Sequence, residues 1–386
     1  VPPKFRDIHQ RLATEGRANP VTTADIPADS PSQPGGFSLS AAGDVHRKLT
    51  TPSGQCQPMA GFDPEYTDIV DYIIKITHHI WEEKAVGLIY DTYVPNVAVW
   101  TSDGLIYGRE ELMAGTIRTL AAFPDVRLYA DEILWSGDDR QGFHTSHRIV
   151  WVGHNTGHSL YGPPTGRRIQ RVGIANCYVK ENRIVEEWIA RDELALVLQL
   201  GYDPFETASR LASPATLLKT AAGELERTQG QGLPAHMPPR PAVGFDIEDF
   251  VRRAFHEIWD WRLLNKVDAY YSKAFICHTV PACKLAGPAL YKAHLLGLMA
   301  AFPDVVLTIE HLYWMGDEAM GYKVMVRWLL QGTHRGPGPF GAPTGRRIAI
   351  LGISHLIVRG GLIQEEWMIY DRFALLKQLA APDGDV

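Results

Sequence analysis

Apolar residues recur every three or four positions in two separate stretches of the chain. Such spacing gives a helix one apolar side, so it predicts helices at residues 66–81 and 247–261. A further helix is predicted to begin at Gly108 and to end before Phe123 and Pro124, since proline disfavours helical backbone in the preceding residue. The apolar positions of the first stretch are Ile69, Tyr72, Ile73, Ile76 and Ile80.

The segments that follow these helices are rich in β-branched and aromatic residues, a pattern typical of strands. A short strand is predicted at residues 97–100, and longer ones at 126–135, 143–152, 169–179 and 184–190. The four longer strands predict an antiparallel meander. Helices followed by consecutive strands indicate an α+β fold, with the sheet curled around helices that lie against one face.

Several landmarks occur twice in the chain at a constant separation. Trp188 recurs as Trp367, and the segment Pro-Thr-Gly-Arg-Arg that begins at Pro164 recurs at Pro343; 367 minus 188 and 343 minus 164 both give 179. Chance similarity does not keep one register over such a distance. The sequence therefore predicts a tandem duplication of one ancestral domain.

The duplication divides the chain into four predicted regions. Residues 1–60 are rich in Pro, Ser, Thr and Gly and predict an extended N-terminal arm. Residues 61–205 form the first repeat and 245–386 the second, each close to the common domain size. Residues 206–244 between them predict a helix followed by a Pro/Gly-rich linker.

Composition and charge narrow the classes of function. Hydrophobic residues make up 45% and charged residues 21% of the chain, as in ordinary globular proteins. The net charge of −6, with no Lys/Arg cluster, argues against a nucleic-acid partner. No apolar run is long enough to span a membrane, and no signal segment begins the sequence, so a cytoplasmic location is expected. The four cysteines and the histidines lack metal-ligand spacing, and no metal is predicted.

Each repeat resembles the SnoaL-like polyketide cyclases, a branch of the nuclear transport factor 2 superfamily. The matching pieces are Phe-Pro-Asp after the helices, Gly-Thr-His-Arg-Gly at 332–336, Pro-Thr-Gly-Arg, and the finish Ile-x-Glu-x-Trp-x-x-x-Asp. The resemblance implies a cone-shaped α+β barrel, in which a strongly curved antiparallel sheet and its helices close a pocket. It also implies that the Asp of the Trp-x-x-x-Asp motif is the acid/base, which points to Asp192 and Asp371.

The last predicted strand suggests an environment for these two carboxyl groups. Period-two geometry places Glu186 and Trp188 on one face, together with Asp192 at the strand end. Poor solvation there would raise the pKa of the carboxyl, which suits a general acid or base. An alternative is structural, because Asp is a preferred helix N-cap and a helix is predicted from Leu194.

Further candidate residues lie on the strands of both repeats. Arg148 and Arg327 lie mid-strand among apolar neighbours, where each could bind a substrate oxygen or pair with Glu186 or Glu365. His334 and His355 are predicted to carry protons, although each could also be a satisfied structural residue. The other residues predicted to bind substrate are Trp188, Trp367, Asn176, His278, Tyr370 and His147.

These features predict a cofactor-independent enzyme that performs acid/base chemistry on a hydrophobic carbonyl compound, as an aldol-type cyclase, isomerase or dehydratase. The alternatives are a lactone or ester hydrolase that uses the same Asp through water, and a non-catalytic protein that binds a small molecule. The two repeats are expected to pair as an intrachain pseudo-dimer. Several copies of the chain could also form a homo-oligomer. Because His278, His334 and His355 all belong to the second repeat, most proton transfer is expected there.

Overall fold

The computed structural model describes residues 57–212 and 244–381. Most of the predicted N-terminal arm and of the predicted linker lie outside these ranges. The helices of the first repeat are α1 (Ile69–Trp81), α2 (Ile89–Thr92), α3 (Arg109–Ala122), α4 (Glu193–Leu200) and α5 (Pro204–Leu211). Its strands are β1 (Tyr93–Thr101), β2 (Gly104–Tyr107), β3 (Arg127–Asp138), β4 (Gly142–His154), β5 (Arg168–Lys180) and β6 (Arg183–Arg191).

The second repeat has the same order of strands and a similar set of helices. Its helices are α6 (Ile247–Phe255), which continues into a π-helical turn (His256–Asp260), then α7 (Val267–Tyr270), α8 (Gly287–Ala301) and α9 (Arg372–Ala380). Its strands are β7 (Tyr271–Thr279), β8 (Cys283–Ala286), β9 (Val306–Asp317), β10 (Gly321–Thr333), β11 (Arg347–Arg359) and β12 (Leu362–Tyr370).

The first helix of each repeat begins at an aspartate cap and buries its apolar side. Asp68 accepts a hydrogen bond from the backbone N–H of Asp71 at 2.8 Å, and Asp246 accepts one from Asp249 at 3.0 Å. In α1, the apolar stripe that the sequence predicted is buried in the core. The caps and stripes together fix where these helices start and which side faces the sheet.

Each repeat folds into one six-stranded sheet, in the order β2-β1-β6-β5-β4-β3 and β8-β7-β12-β11-β10-β9. These are two copies of a duplicated α+β fold, as predicted. The predicted antiparallel meander of four long strands is confirmed as β3–β6, with β9–β12 as its copy. Each complete sheet is mixed, because β1 pairs with β6 and β7 with β12 in parallel. The long connection through α3 and the meander returns β6 beside β1 in the same direction, and alternation along a strand does not reveal this.

The two sheets contact each other within the chain, mainly through β3 with β9 and β6 with β11 and β12. The Tyr313 hydroxyl donates to the carbonyl oxygen of Leu134 at 3.3 Å. Lys323 forms an ion pair with Glu132 at 2.7 Å. One face of each sheet is therefore covered by the other repeat, while the opposite face packs on the helices of its own repeat.

Candidate active site

The first repeat encloses a cavity of about 820 Å³ between the inner face of its sheet and helices α1 and α3. A cavity of this volume is large enough for a multi-ring organic molecule. Most of its wall is apolar, with side chains from both helices and from the strands. These apolar lining residues include Ile73, Ile80, Leu112, Ile149, Ile174 and Ile189.

Glu187 lines this cavity from β6, with only 7% of its surface exposed. Burial raises the pKa of its carboxyl to about 7, although Arg191 and a hydrogen bond from Tyr93 oppose the rise. The Tyr93 hydroxyl donates to Oε2 of Glu187 at 3.3 Å. A carboxyl group with a pKa near 7 can accept and return a proton at neutral pH.

Arg191 lines the same cavity four residues further along β6. It pairs with Gly173 of β5, and a Cβ at that position would lie 3.4 Å from the Arg191 Cγ. The missing side chain at Gly173 therefore leaves room for the arginine side chain and for the cavity beside it.

A second arginine at this end of the cavity is already neutralised. Arg171 donates to Glu193 Oε1 at 2.5 Å, and the Tyr161 hydroxyl donates to Glu193 Oε2 at 2.7 Å. Burial raises the pKa of Glu193, but Arg171 and Arg191 outweigh it and hold that pKa below its ordinary value. Glu193 is therefore a carboxylate at neutral pH, and its charge balances that of Arg171.

His147 is one of the predicted binding residues that the structure places in the cavity wall. Only 4% of its surface is exposed, and burial lowers the pKa of its imidazole to about 3. Its Nε2 has no hydrogen-bond partner among the described residues. A neutral imidazole with an open nitrogen can exchange a hydrogen bond with a ligand.

The two aspartates predicted as acid/base residues are both helix caps. Asp192 Oδ1 accepts from the backbone of Ala195 at 3.1 Å, and Oδ2 accepts from the backbone of Ala282, in the second repeat, at 2.7 Å. Burial raises the Asp192 pKa to about 6, with these two hydrogen bonds opposing the rise. Asp192 is not among the residues that line the cavity, so its position matches the structural alternative.

Asp371 differs from its counterpart, because it lines the cavity of the first repeat although it belongs to the second. Its Oδ1 caps α9 by accepting from the backbone of Ala374 at 2.8 Å. Burial, Asp103 and Glu193 raise the pKa of its carboxyl well above the ordinary value. This shift favours the protonated form of Asp371, in which the carboxyl group can donate a hydrogen bond.

The predicted arginine and tryptophan pairs lie in the interface between the repeats instead of the cavity. The Arg148 guanidinium stacks 3.7 Å from the ring centre of Trp367, and that of Arg327 stacks 3.6 Å from Trp188. Each pair joins the two repeats and forms a cation–π contact. These four side chains therefore hold the repeats together at the positions where they were expected to hold substrate.

The carboxylates that form salt bridges with these arginines are not the predicted ones. Arg148 Nε donates to Asp131 Oδ2 at 2.7 Å, and Arg327 Nε donates to Glu310 Oε2 at 3.3 Å. Both carboxylates belong to the repeat of their own arginine. The charge of the predicted Glu186 also acts on Arg327 from the other repeat, without a salt bridge.

His278 occupies the same interface, where it stacks on Trp367 with ring centres 4.8 Å apart. Its Nε2 lies 2.7 Å from Glu365 Oε1, and in the first repeat Trp100 Nε1 donates to Glu186 Oε1 at 2.5 Å. These two contacts are equivalent, since Trp100 pairs with the last strand of its sheet as His278 does. His278 therefore supports the interface and does not join a group of catalytic histidines.

The remaining polar candidates also have structural partners. His355 Nε2 lies 2.5 Å from Ser146 Oγ across the interface, and Asn176 Nδ2 donates to the same oxygen at 2.6 Å. Burial is the main reason why the pKa of His355 lies well below its usual value. His334 Nδ1 accepts from the backbone of Thr344 at 3.3 Å and fixes the Pro-Thr-Gly turn. The three predicted histidines, His278, His334 and His355, thus do not converge on one pocket, unlike the expected proton relay.

In the second repeat, aromatic side chains occupy the positions that border the cavity in the first. Trp328 lies over Gly352, where a Cβ would come within 2.1 Å of the indole ring. Its counterpart is Ile149, as 328 minus 149 gives the repeat offset of 179. Tyr370, a predicted binding residue, is fully buried in this interior. Tyr291, at the position of Leu112, is also fully buried.

The placement of β6 shows which cavity-lining residues the sequence reasoning missed. Both faces of this strand are buried, since one faces the cavity and the other faces the second repeat. Alternation separates the two faces but does not say which is which. The face with Glu186 and Trp188 was expected inside, whereas Glu187 and Arg191 line the cavity. Comparing the two repeats could have singled out Arg191, because the equivalent residue in the second copy is the uncharged Tyr370.

Two further properties of the described residues bear on function. Within residues 57–212 and 244–381, no group of three His, Cys, Asp or Glu side chains is arranged to hold a metal ion. In the same ranges, no helix has the length and apolar character that crossing a bilayer requires.

Comparison with protein families identifies both repeats. The model of the SnoaL-like polyketide cyclase family matches residues 72–200 and 249–379, which together exceed half of the chain. The chain belongs to this family. It contains one family domain in each matched segment, and the two domains are a tandem duplication of a fold of the nuclear transport factor 2 type. Membership implies enzymatic activity of the cyclase or isomerase kind on a small molecule.

Solved structures similar to this SnoaL-like chain include three bacterial proteins. A protein assigned to the SnoaL-like polyketide cyclases from Jannaschia sp. CCS1 is 19% identical, with a TM-score of 0.33, over 38% of this chain and 100% of its own. TsrD from Streptomyces laurentii is 21% identical, with a TM-score of 0.31, over 34% and 94%. A SnoaL-like polyketide cyclase from Agrobacterium tumefaciens is 19% identical, with a TM-score of 0.29, over 34% and 97%. A search of curated proteins found no match.

Proposed function

We propose that the cavity of the first repeat is the active site of an acid/base enzyme that acts on a hydrophobic carbonyl compound. Glu187 removes a proton from the carbon next to the carbonyl group, so that the C–H electron pair forms an enolate. Return of the proton to another carbon gives an isomer. Attack of the enolate carbon on a second carbonyl forms a C–C bond and closes a ring, and the alkoxide oxygen left on that second carbonyl takes the proton back from Glu187. Neither step requires an electron donor or acceptor.

The observation that carries this proposal is the environment of Glu187. Its carboxyl group is buried in an apolar cavity, and its pKa of about 7 matches the pH at which a base must both take and release a proton. The Tyr93 hydroxyl donates to the carboxylate and orients it. The volume and apolar wall of the cavity support a hydrophobic substrate.

Two groups in the wall support the stabilisation of an enolate oxygen. Burial and neighbouring acids raise the pKa of Asp371, which favours the protonated form that can donate a hydrogen bond. His147 is neutral and has an open ring nitrogen. Of the four residues predicted from sequence as catalytic, only Asp371 has a role in this reaction. Asp371 belongs to the second repeat but acts in the cavity of the first.

The experiment follows hydrogen exchange into D2O at the α-carbon of a panel of aromatic ketones, with NMR detection. We expect the wild-type protein to catalyse exchange at a rate that rises with pH up to about 7, because Glu187 must lose its proton to act as a base. Hydrolysis of aromatic esters or lactones without exchange would favour the hydrolase alternative. Ligand binding with neither reaction would contradict an enzymatic role.

A further inference from the structure

We propose that Arg191 binds a carboxylate group of the substrate, so the ligand of this cavity is an amphipathic carboxylic acid with a large apolar body. The inference rests on the proposed function, since it takes the first-repeat cavity as the substrate site. It adds a chemical class of substrate and a residue that selects for it.

The Arg191 guanidinium lines the cavity and makes no hydrogen bond or salt bridge with a side chain of the described residues. The opposite charges that act on it, Glu193 and Glu187, do so without direct contact. The charges that act on it most are Arg171, Glu193 and Glu187, and burial lowers its pKa. A guanidinium placed against apolar walls without a partner is costly unless a ligand supplies the anion.

The acidic side chains near Arg191 already accept hydrogen bonds from other residues. Glu193 is engaged by Arg171 and by the Tyr161 hydroxyl, and Glu187 accepts from Tyr93. Neither acid therefore uses the Arg191 N–H groups, which stay available to a ligand.

The geometry of the arginine side chain indicates which anion it binds. Arginine presents a planar fork of N–H donors that matches a carboxylate with two parallel hydrogen bonds. A phosphate would need several further donors, whereas the donors of Arg171 and Tyr161 near Arg191 are already taken by Glu193. The single guanidinium thus favours a carboxylate.

Arg191 and Glu187 also set a distance within the ligand. They lie on the same face of β6 four residues apart, which separates their Cα atoms by about 13 Å. A carboxylate held at Arg191 and a reacting carbon at Glu187 would therefore belong to different parts of the ligand. This spacing fits a multi-ring body between the two groups and a cavity of about 820 Å³.

The second repeat supports the assignment by contrast. Its residue at this position is Tyr370, which is buried beside Trp328 with ring centres 6.0 Å apart. An uncharged ring thus occupies the arginine position where the interior is filled. The charge occurs in the repeat that has the cavity.

The test compares three aromatic acids with their methyl esters, using naphthalene-2-, anthracene-2- and pyrene-1-carboxylic acid and the full chain at pH 8. Fluorescence titration is expected to show that at least one acid binds about tenfold or more tightly than its ester. The Arg191→Met variant should lose that preference without weakening the ester, and Arg191→Lys should keep part of it. Arg118→Met is the matched variant, because Arg118 also lines the cavity but is solvent-exposed.

The possible results separate this inference from the proposed function. Equal affinity for acid and ester, a preference that survives in Arg191→Met, or a preference lost in Arg118→Met would each overturn the carboxylate assignment. Ile149→Trp is expected to weaken all six probes by filling the cavity. If none of the probes binds, or if Ile149→Trp changes nothing, the cavity is not the binding site, and the proposed function fails together with the inference.

Discussion

Glu187 and Glu366 occupy equivalent positions in the last strands of the two sheets, and burial raises the pKa of both to about 7. Their surroundings differ. Glu187 faces an open cavity, whereas Glu366 is fully buried and accepts a hydrogen bond from Ser354 at 2.9 Å. The same carboxyl group is therefore accessible to a ligand in one repeat and enclosed by protein in the other.

The comparison teaches that the interior size of this fold depends on a few side chains. Trp328, Tyr291 and Tyr370 fill the second repeat where the first has Ile149, Leu112 and Arg191. Meanwhile the second repeat supplies Asp371 to the first cavity and covers the outer face of the first sheet. We infer that the second copy works as a built-in partner subunit and that the first performs the chemistry.

The largest effect is expected from exchanging the residues that open and close the two interiors. Ile149→Trp should fill the first cavity and reduce catalysed hydrogen exchange to the background rate. Trp328→Ile should keep activity but lower the free energy of unfolding by about 3 kcal/mol, because it leaves a void in a packed core. Kinetics and denaturant unfolding measure the two outcomes, and activity that survives Ile149→Trp would contradict the role of the cavity.

Glu366→Gln is expected to stabilise the protein at pH 8. A folded-state pKa of about 7, above the ordinary value of 4.5, means that the native state holds its proton more tightly than the unfolded chain. This group therefore costs stability as pH rises from about 4.5 to 7, and the cost is complete above pH 7. Removing it should gain on the order of 2 kcal/mol at pH 8 and much less at pH 5. Equal effects at both pH values would show that the carboxyl is not strongly perturbed.

The smallest effects are expected at the paired caps. Asp192→Asn removes one acceptor for the backbone of Ala282 and should cost about 1 kcal/mol of unfolding free energy with little change in turnover. Asp371→Asn should keep the cap but lower turnover, because Asp371 lines the cavity. Melting curves and exchange rates of the two single variants distinguish them, and equal loss of turnover would contradict the different placement of these residues.

The sequence predicted the duplication, the α+β class and most strand positions because these depend on local periodicity and on repeated motifs. It did not predict the parallel pairing of β1 with β6, which depends on a long connection. Nor could it place Arg148 or Trp188, since a strand buried on both faces shows the same alternation whether a face meets a cavity or another domain. Among the predicted binding residues, His147 lies in the cavity wall.

The most direct test of the account compares Glu187→Gln with Glu366→Gln in the same hydrogen-exchange assay. Each variant replaces one equivalent buried carboxyl with a neutral group of the same shape, so general damage to the fold would affect both. We predict that Glu187→Gln lowers the rate by about 10²–10⁴-fold and that Glu366→Gln leaves it unchanged. Equal losses, or a loss confined to Glu366→Gln, would contradict the assignment of the chemistry to the first repeat.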